Sequence, residues 1–357
     1  MRPPDATNKQ IEIPYLLKIG SGKTSRVGKY LADKAMTRIA LYMGEGIEAL
    51  VGVELRTSLK THSIDIMYEQ IVTSVDIDDI THSAFSLPGV TAIVGVGGGK
   101  ALDFSKYTAH LLRLPFISIP TAVSNDGFGS PSSSLVIQGK RKSVKAASPY
   151  GIVIDLDVIK NSPDILMYSG IGDMLSKITA LKDWQAARDK TQERYVDFAA
   201  MMAYNSLDIL FLKHSFDIRC ESFQRSLASS LMISGLAMEI AGSSRPASGS
   251  EHLISHALDE ISPSPKMHGI QVGVATYLCA LLQGSRQVED IRVVFENTGF
   301  LNFACNDPFS YDEFVRALEL APRIKSNFYT ILSEPDSFSR AVEYINTDDL
   351  LRRVIVR

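Results

Sequence analysis

The fold is decided by residues 94–103, VGVGGGKALD. An apolar run enters three consecutive glycines, Gly97, Gly98 and Gly99, and a helical pattern leaves at Lys100. Three residues without a Cβ let backbone N–H groups approach an anion closely. The start of a helix adds unpaired N–H donors and the positive end of the helix dipole. A tight turn alone needs fewer glycines, so the stretch reads as a phosphate-binding turn suited to the pyrophosphate of a dinucleotide. Lys100 stands where the G-x-G-x-x-G fingerprint has its last glycine, and Ala101 stands where a P-loop has Ser or Thr.

Outward from this turn the first half of the chain alternates. Residues 11–20, 38–44, 63–69, 90–96, 115–120 and 151–159 read as strands; 24–35, a stretch ending near 60, 77–85 and 100–112 read as helices. Such alternation predicts a parallel sheet covered by helices on both faces. Residues 133–139 and 142–148 read as a hairpin added to this unit, turning near Gly139 and Lys140. Between them and the fifth strand lies PTAVSNDGFGSP, residues 120–131, whose Thr121, Ser124, Asn125 and Asp126 offer hydroxyl, amide and carboxylate groups. Loops after parallel strands carry function, although Asn-Asp-Gly is equally turn chemistry.

Beyond residue 161 helical patterns take over, at 172–190, 196–213, 223–241 and 271–283. The boundary is expected near Ser162 and Pro163, giving an α/β domain over 1–162 and an all-α domain over 163–357, with ligands favouring a cleft between two such domains. The second domain contains SGSEHLISHALDEISPSPKMHGIQVG, residues 248–273, which holds three of the seven histidines. Ser248 and Glu251 have the spacing of a capping box, and Pro263 and Pro265 end the helix they open. His252 and His256 are four apart and share a helix face. His268 begins the next apolar run, where a second helix can aim it back at the first. Imidazoles gathered in so short a window suit a metal ion. In YSGIGDMLSK, residues 168–177, Asp173 follows two glycines and is expected to open a helix, where a carboxylate is also a capping group. Spacing does not choose between Asp173, Asp164 and Asp183 as a further ligand.

Composition limits the alternatives. The chain of 357 residues carries 37 Lys and Arg against 40 Asp and Glu, a net charge of −3 with no basic concentration, which argues against a nucleic-acid surface. Its three cysteines are far apart, which argues against a disulfide framework and for a reducing compartment. The N-terminal MRPPDATNKQ has no apolar signal core and no run of eighteen apolar residues occurs, so no membrane span and a cytoplasmic location are expected.

Five ordered motifs extend this reading: GVGGGKxxDxxK, TAxSNDGxxSP, GxGDxLSKxTAxKDW, SRPASGSEHLxSHALD and HGxQVG, spanning residues 93–273. Together they resemble the glycerol-1-phosphate dehydrogenase family, within the superfamily of iron-containing alcohol dehydrogenases and dehydroquinate synthase. Ile270 stands where the family usually has Glu. The resemblance implies a Rossmann-like domain that binds a nicotinamide dinucleotide, NAD or NADP, followed by an α-helical domain that binds metal and substrate. It implies one divalent metal on Asp173, His252 and His268, zinc foremost, with iron or nickel suiting the same ligands. It implies that Gly97, Gly98, Gly99, Lys100, Asp103, Thr121, Ser124 and Ser130 line the cofactor site, and that Asp126 and His256 face the substrate, His256 as proton relay. The implied reaction is hydride transfer between NAD(P)H and dihydroxyacetone phosphate, giving sn-glycerol 1-phosphate, in a homo-oligomeric enzyme. Lys140, Arg141, Lys142, Lys145 and Arg245 are candidates for the substrate phosphate. The rival readings are a glycerol or polyol dehydrogenase, a sugar-phosphate cyclase like dehydroquinate synthase, and a silent nucleotide-binding member. Ser250 and Glu251 before His252, and Asp rather than Glu as ligand, favour the dehydrogenase over the cyclase.

Overall fold

The computed structural model describes residues 11–211 and 216–357, without the side chains of residues 209 and 210. The expectations for MRPPDATNKQ and for the end of the helix at 212–213 lie outside the described residues. The chain divides into two units. One runs to Pro120 and resumes over Gly127–Ile154; the other takes Thr121–Asp126 and Asp155–Arg357.

In the first unit the order is β1 (Leu16–Gly20), α1 (Val27–Ala32), β2 (Arg38–Gly44), α2 (Val53–Thr61), β3 (Asp65–Val72), α3 (Ile77–Ser86), β4 (Ala92–Gly97), α4 (Gly99–Leu112), β5 (Phe116–Pro120), β6 (Ser132–Ile137), β7 (Lys140–Lys145) and β8 (Gly151–Asp155). Among the described residues the main sheet has six strands in the order β1-β8-β5-β4-β2-β3. β2 pairs in parallel with β3 and β4, β4 with β5, and β5 with β8. The central strands β4, β5 and β8 are buried at every residue, which explains their unbroken apolar sequences. β3 lies at an edge and alternates exposed and half-buried positions. The first strand is shorter than its sequence pattern; it begins after Pro14, which has no N–H to give a ladder.

β6 and β7 form a separate antiparallel pair. Their two-residue turn, Gln138 and Gly139, has φ of 53° and 73°, the doubly positive backbone of the turn whose twist suits a hairpin. In the main sheet the chain adds β3 outside β2, then returns to the other side of β2 as β4. The carboxyl ends of β2 and β4 therefore flank a topological switch point, where ligands bind in open α/β sheets.

The second unit is helical: α5 (Leu156–Ile159), α6 (Asp164–Leu175), α7 (Lys177–Thr191), α8 (Asp197–Phe211), α9 (Glu221–Ala241), α10 (Ser250–Ile261), α11 (His268–Leu282), α12 (Val288–Thr298), α13 (Phe300–Asn306), α14 (Tyr311–Ile324), α15 (Ser337–Thr347) and α16 (Leu351–Val354). A two-residue parallel pairing of β9 (Phe309–Ser310) with β10 (Ile355–Val356) completes it. Among the described residues no helix is long and apolar enough to cross a membrane.

Candidate active site

The glycine turn lies at the switch point. Gly97 ends β4 with φ of 141°, which an L side chain resists, and a Cβ there would stand 3.2 Å from the backbone nitrogen of Gly44, the last residue of β2. Two strand ends thus meet backbone to backbone. Gly98 caps α4 in an extended conformation, and a Cβ built on it meets nothing within 4 Å. Gly98, Gly99 and Lys100 are all exposed at the N-terminus of α4, as an anion site requires. Lys100 is exposed, its Nζ 3.4 Å from the carbonyl of Thr73.

In the second unit three helices bring together another group of polar side chains. Asp173 does not open a helix as its sequence suggested; it lies in the last turn of α6, and the break between α6 and α7 falls at Ser176. The capping reading of its carboxylate therefore lapses. His252 lies in the first turn of α10, and His268 begins α11. The close fit of α6 to α11 depends on absent side chains. A Cβ on Gly172 would stand 1.9 Å from the carbonyl oxygen of Gly269, and one on Gly269 would stand 1.8 Å from the carbonyl oxygen of Ser169. These glycines are the immediate neighbours of Asp173 and His268, so backbone contact sets the distance between the two ligand candidates.

Asp173, His252 and His268 bring one ligand atom each within 4.8 Å of one another. Asp173 Oδ1 is 3.5 Å from His252 Nε2 and 3.9 Å from His268 Nε2. Donors held about 2.1 Å from one tetrahedral ion stand about 3.4 Å apart, so the set fits a divalent metal with little movement. The outer nitrogens agree. His252 Nδ1 lies 2.9 Å from Glu251 Oε1, a carboxylate that only accepts when ionised. Ser255 donates its hydroxyl to Gln271 Oε1 at 2.6 Å and so accepts from His268 Nδ1 at 3.1 Å. Nδ1 of each ring thus meets an outer partner while each Nε2 is turned toward Asp173, the arrangement that orients metal-binding imidazoles.

Glu251 also corrects the expected capping box. The N-cap of α10 is Gly249, without a side-chain cap, rather than Ser248. Glu251 accepts from the Gly249 N–H at 2.6 Å and from Thr179 Oγ1 at 2.6 Å, besides facing His252. Burial works to raise its pKa, but these donors and the imidazole hold it below the ordinary value. Burial likewise opposes the charge on Asp173, and Lys177 with the two imidazoles outweighs it, so Asp173 stays ionised well below the usual carboxylate range.

Asp126 joins this group through its backbone and one oxygen. Its N–H donates to Asp173 Oδ2 at 2.9 Å; its Oδ2 accepts from Ser234 Oγ at 2.7 Å and pairs with Lys177 Nζ at 2.9 Å. Burial and the neighbouring Asp173 push the Asp126 carboxyl up, against Lys177 and Ser234. His256, one turn along α10, is half-buried, its ring centroid 6.4 Å from that of His252 and 6.0 Å from that of His268. Among the described residues it is outside the metal group. Ile270 is buried, and the polar support on this helix comes from Gln271, which also reaches Asp259.

The other expected residues have local partners. Asp103 pairs with Lys106 at 3.7 Å, its pKa raised by burial and opposed by Lys106. Ser130 donates within its own loop, to the carbonyls of Gly127 and Ser132, which Lys106 Nζ also ties at 2.6 and 2.7 Å. Thr121 is buried, and Ser124, half-buried, lends its carbonyl to Ser169 Oγ at 2.8 Å. Among the basic candidates, Lys140, Arg141, Lys142 and Lys145 are exposed on β7. Arg245 is buried in a bidentate pair with Glu193, donates to the Tyr329 carbonyl and stacks on Phe328, so its charge is already used. Asp164 pairs with Arg219, while Asp183 accepts from Ser250 N, Gln283 and Ile331 N.

Sequence reasoning missed Lys177, Glu251, Ser255 and Ser234. Lys177 is four residues after Asp173, Glu251 adjoins His252, and Ser255 is three residues after His252, spacings that were readable once the ligands were chosen. Ser234 carries no such signal.

The comparisons agree with this architecture. Residues 18–163 match the iron-containing alcohol dehydrogenase family. The crystal structure of glycerol dehydrogenase from Schizosaccharomyces pombe superposes with a TM-score of 0.78 at 20% identity, covering 97% of this chain and 91% of that one, and so shares its fold. The glycerol-1-phosphate dehydrogenase [NAD(P)+] of Metallosphaera sedula is 35% identical over 332 residues, covering 91% of this chain and 93% of its own. That of Archaeoglobus fulgidus is 34% identical over 333 residues, with 91% and 93% coverage. Identity sustained at this level across nearly the whole of both sequences means that the chain belongs to the glycerol-1-phosphate dehydrogenase family.

Proposed function

We propose that the protein reversibly transfers a hydride between NAD(P)H and the carbonyl of dihydroxyacetone phosphate, forming sn-glycerol 1-phosphate. The observation that carries this reading is the group of Asp173, His252 and His268, with Nδ1 of each histidine bonded to an outer partner and each Nε2 turned toward Asp173. The names of the relatives, glycerol-1-phosphate dehydrogenase [NAD(P)+], support the substrate and the cofactor. A divalent ion held there, zinc, iron or nickel, would polarise the carbonyl and stabilise the developing alkoxide.

The chain's own residues supply the rest. The Gly97–Gly99 turn and the N-terminus of α4, with Lys100, receive the dinucleotide phosphates; Asp103, Thr121, Ser124 and Ser130 shape the surroundings of that site. Asp126, with Oδ2 committed to Lys177 and Ser234, presents Oδ1 to a substrate hydroxyl. His256 exchanges a proton with the substrate oxygen as general acid or base. A cytoplasmic homo-oligomer that acts on a small phosphorylated triose, without nucleic acid, is the setting we infer.

The test is a panel of dihydroxyacetone phosphate, dihydroxyacetone and a heptulosonate phosphate, each with NADH and NADPH. Stoichiometric nicotinamide oxidation with highest kcat/KM on dihydroxyacetone phosphate is expected. Preference for dihydroxyacetone would move the assignment to a polyol dehydrogenase. Product from the heptulosonate phosphate without net change in nicotinamide absorbance would move it to a cyclase.

A further inference from the structure

Asp126 sits beside the metal group and yet is outside it. Its backbone nitrogen is bonded to Asp173, but among the described residues the ligand atoms that converge come from Asp173, His252 and His268 only. A carboxylate so close to a divalent ion ordinarily joins it, since hard oxygen donors add to an incomplete coordination sphere. Here Oδ2 of Asp126 is held by two donors, Lys177 Nζ at 2.9 Å and Ser234 Oγ at 2.7 Å.

Lys177 is fully buried against this cluster, with three N–H groups to donate. Besides Asp126 it reaches the Asp173 carbonyl at 2.6 Å, Ser176 Oγ at 3.3 Å and the outer carboxylate oxygen of Asp173 at 3.5 Å. It therefore grips Asp126 and the non-coordinating side of Asp173 together. We propose that Lys177 is a positioning residue that withholds Asp126 from the metal, so that the ion keeps three protein ligands and an open position, and Asp126 stays available to the substrate. Removing the ammonium frees Asp126 to swing onto the ion as a fourth protein ligand and close that position. The inference rests on the metal reading above.

The experiment uses cobalt(II)-loaded full-length protein, whose visible absorption weakens as coordination number rises, together with the rate at which a chelator strips the metal. Lys177→Met should weaken the absorption, slow stripping by about ten-fold, the scale on which groups around a metal tune its affinity, and lower kcat/KM. Asp126→Asn alone should keep the parental spectrum, because Asp126 is not a ligand. Lys177→Met/Asp126→Asn should recover that spectrum and stripping rate while activity stays low. If Lys177→Met does not fold, Ser234→Ala, which removes the other donor, should move spectrum and stripping in the same direction by a smaller factor. A parental spectrum and stripping rate in Lys177→Met, or in Ser234→Ala where that variant must serve, overturns the proposal. So does an altered spectrum in Asp126→Asn or one that persists in the double variant. A parent protein that takes up no stoichiometric cobalt would instead overturn the metal reading itself.

Discussion

Gly172→Ala tests whether backbone contact between α6 and α11 sets the geometry of the metal group. The new methyl would stand 1.9 Å from the Gly269 carbonyl oxygen and 3.1 Å from the Gly273 Cα, whereas ordinary contact begins at 3.4 Å. Both obstacles are backbone, so no change of rotamer relieves them, and the helices must part by about 1.5 Å to restore contact. Asp173 follows residue 172 and His268 precedes residue 269, so the separation acts on the 3.9 Å gap between Asp173 Oδ1 and His268 Nε2. Metal sites hold their distances to about 0.2 Å, several times less than the imposed shift. Metal affinity should fall at least about ten-fold, by analogy with losing a group that orients a ligand. The overpacked helix pair should also lose about 1–3 kcal/mol of stability. Competition against a chromophoric chelator, well below the Tm of the metal-free variant, separates the two effects. Gly98→Ala, placed in open space, is the control. A folded Gly172→Ala protein with parental metal affinity would refute the argument.

Three further predictions follow the same logic. Gly98→Val, whose Cβ would meet nothing within 4 Å, should leave Tm and metal content unchanged while NAD(P)H affinity collapses; fluorescence titration with unaltered affinity would remove the nucleotide from this turn. His252→Ala should lose metal on dialysis, whereas His256→Ala should retain it and lose about a hundred-fold or more in rate, the usual scale of general acid–base assistance; metal loss confined to His256→Ala would reverse the two roles. Burial and nearby Glu251 push the Asp183 carboxyl up from 3.8 to about 6. A group whose folded pKa is raised contributes stability that is complete below about pH 4 and lost as pH rises through 6. The Tm of the parent should therefore fall relative to that of Asp183→Asn between pH 4 and 7, by the equivalent of about 2–3 kcal/mol; a constant gap would show that Asp183 does not titrate there.

Much of this was readable from pattern because it is local. β2, β4 and β5 announce themselves as short apolar runs before glycine or proline, and α4 as a periodic run after the triple glycine. The spacing of His252 from His256, and of His268 from both, put imidazoles on two consecutive helices. What the sequence hid is either a chain break or a contact between distant residues. Asp173 was expected at a helix start because Gly170 and Gly172 look like a stop. Both in fact serve close approach inside α6, to the Val123 carbonyl and to Gly269. The capping box failed because Glu251 spends its oxygens on Gly249, Thr179 and His252. The link from Asp126 to Ser234 spans 108 residues and leaves no local trace.

Residues Thr121–Asp126 belong to the second unit although chain on both sides of them belongs to the first. The helical unit is thus discontinuous in sequence and is not a detachable module. A fragment beginning at Asp155 would lack the N–H that caps Asp173 Oδ2, the acceptor of Ser234 and the carboxylate facing Lys177, and would leave the buried Lys177 ammonium with Asp173 at 3.5 Å in place of its closer partner. On the ribosome, Asp126 is synthesised well before Asp173, Lys177 and Ser234, so its partners form only after α9 has been made. The first half of the chain therefore contributes a loop segment whose set of partners stays unfinished until more than a hundred further residues have followed it.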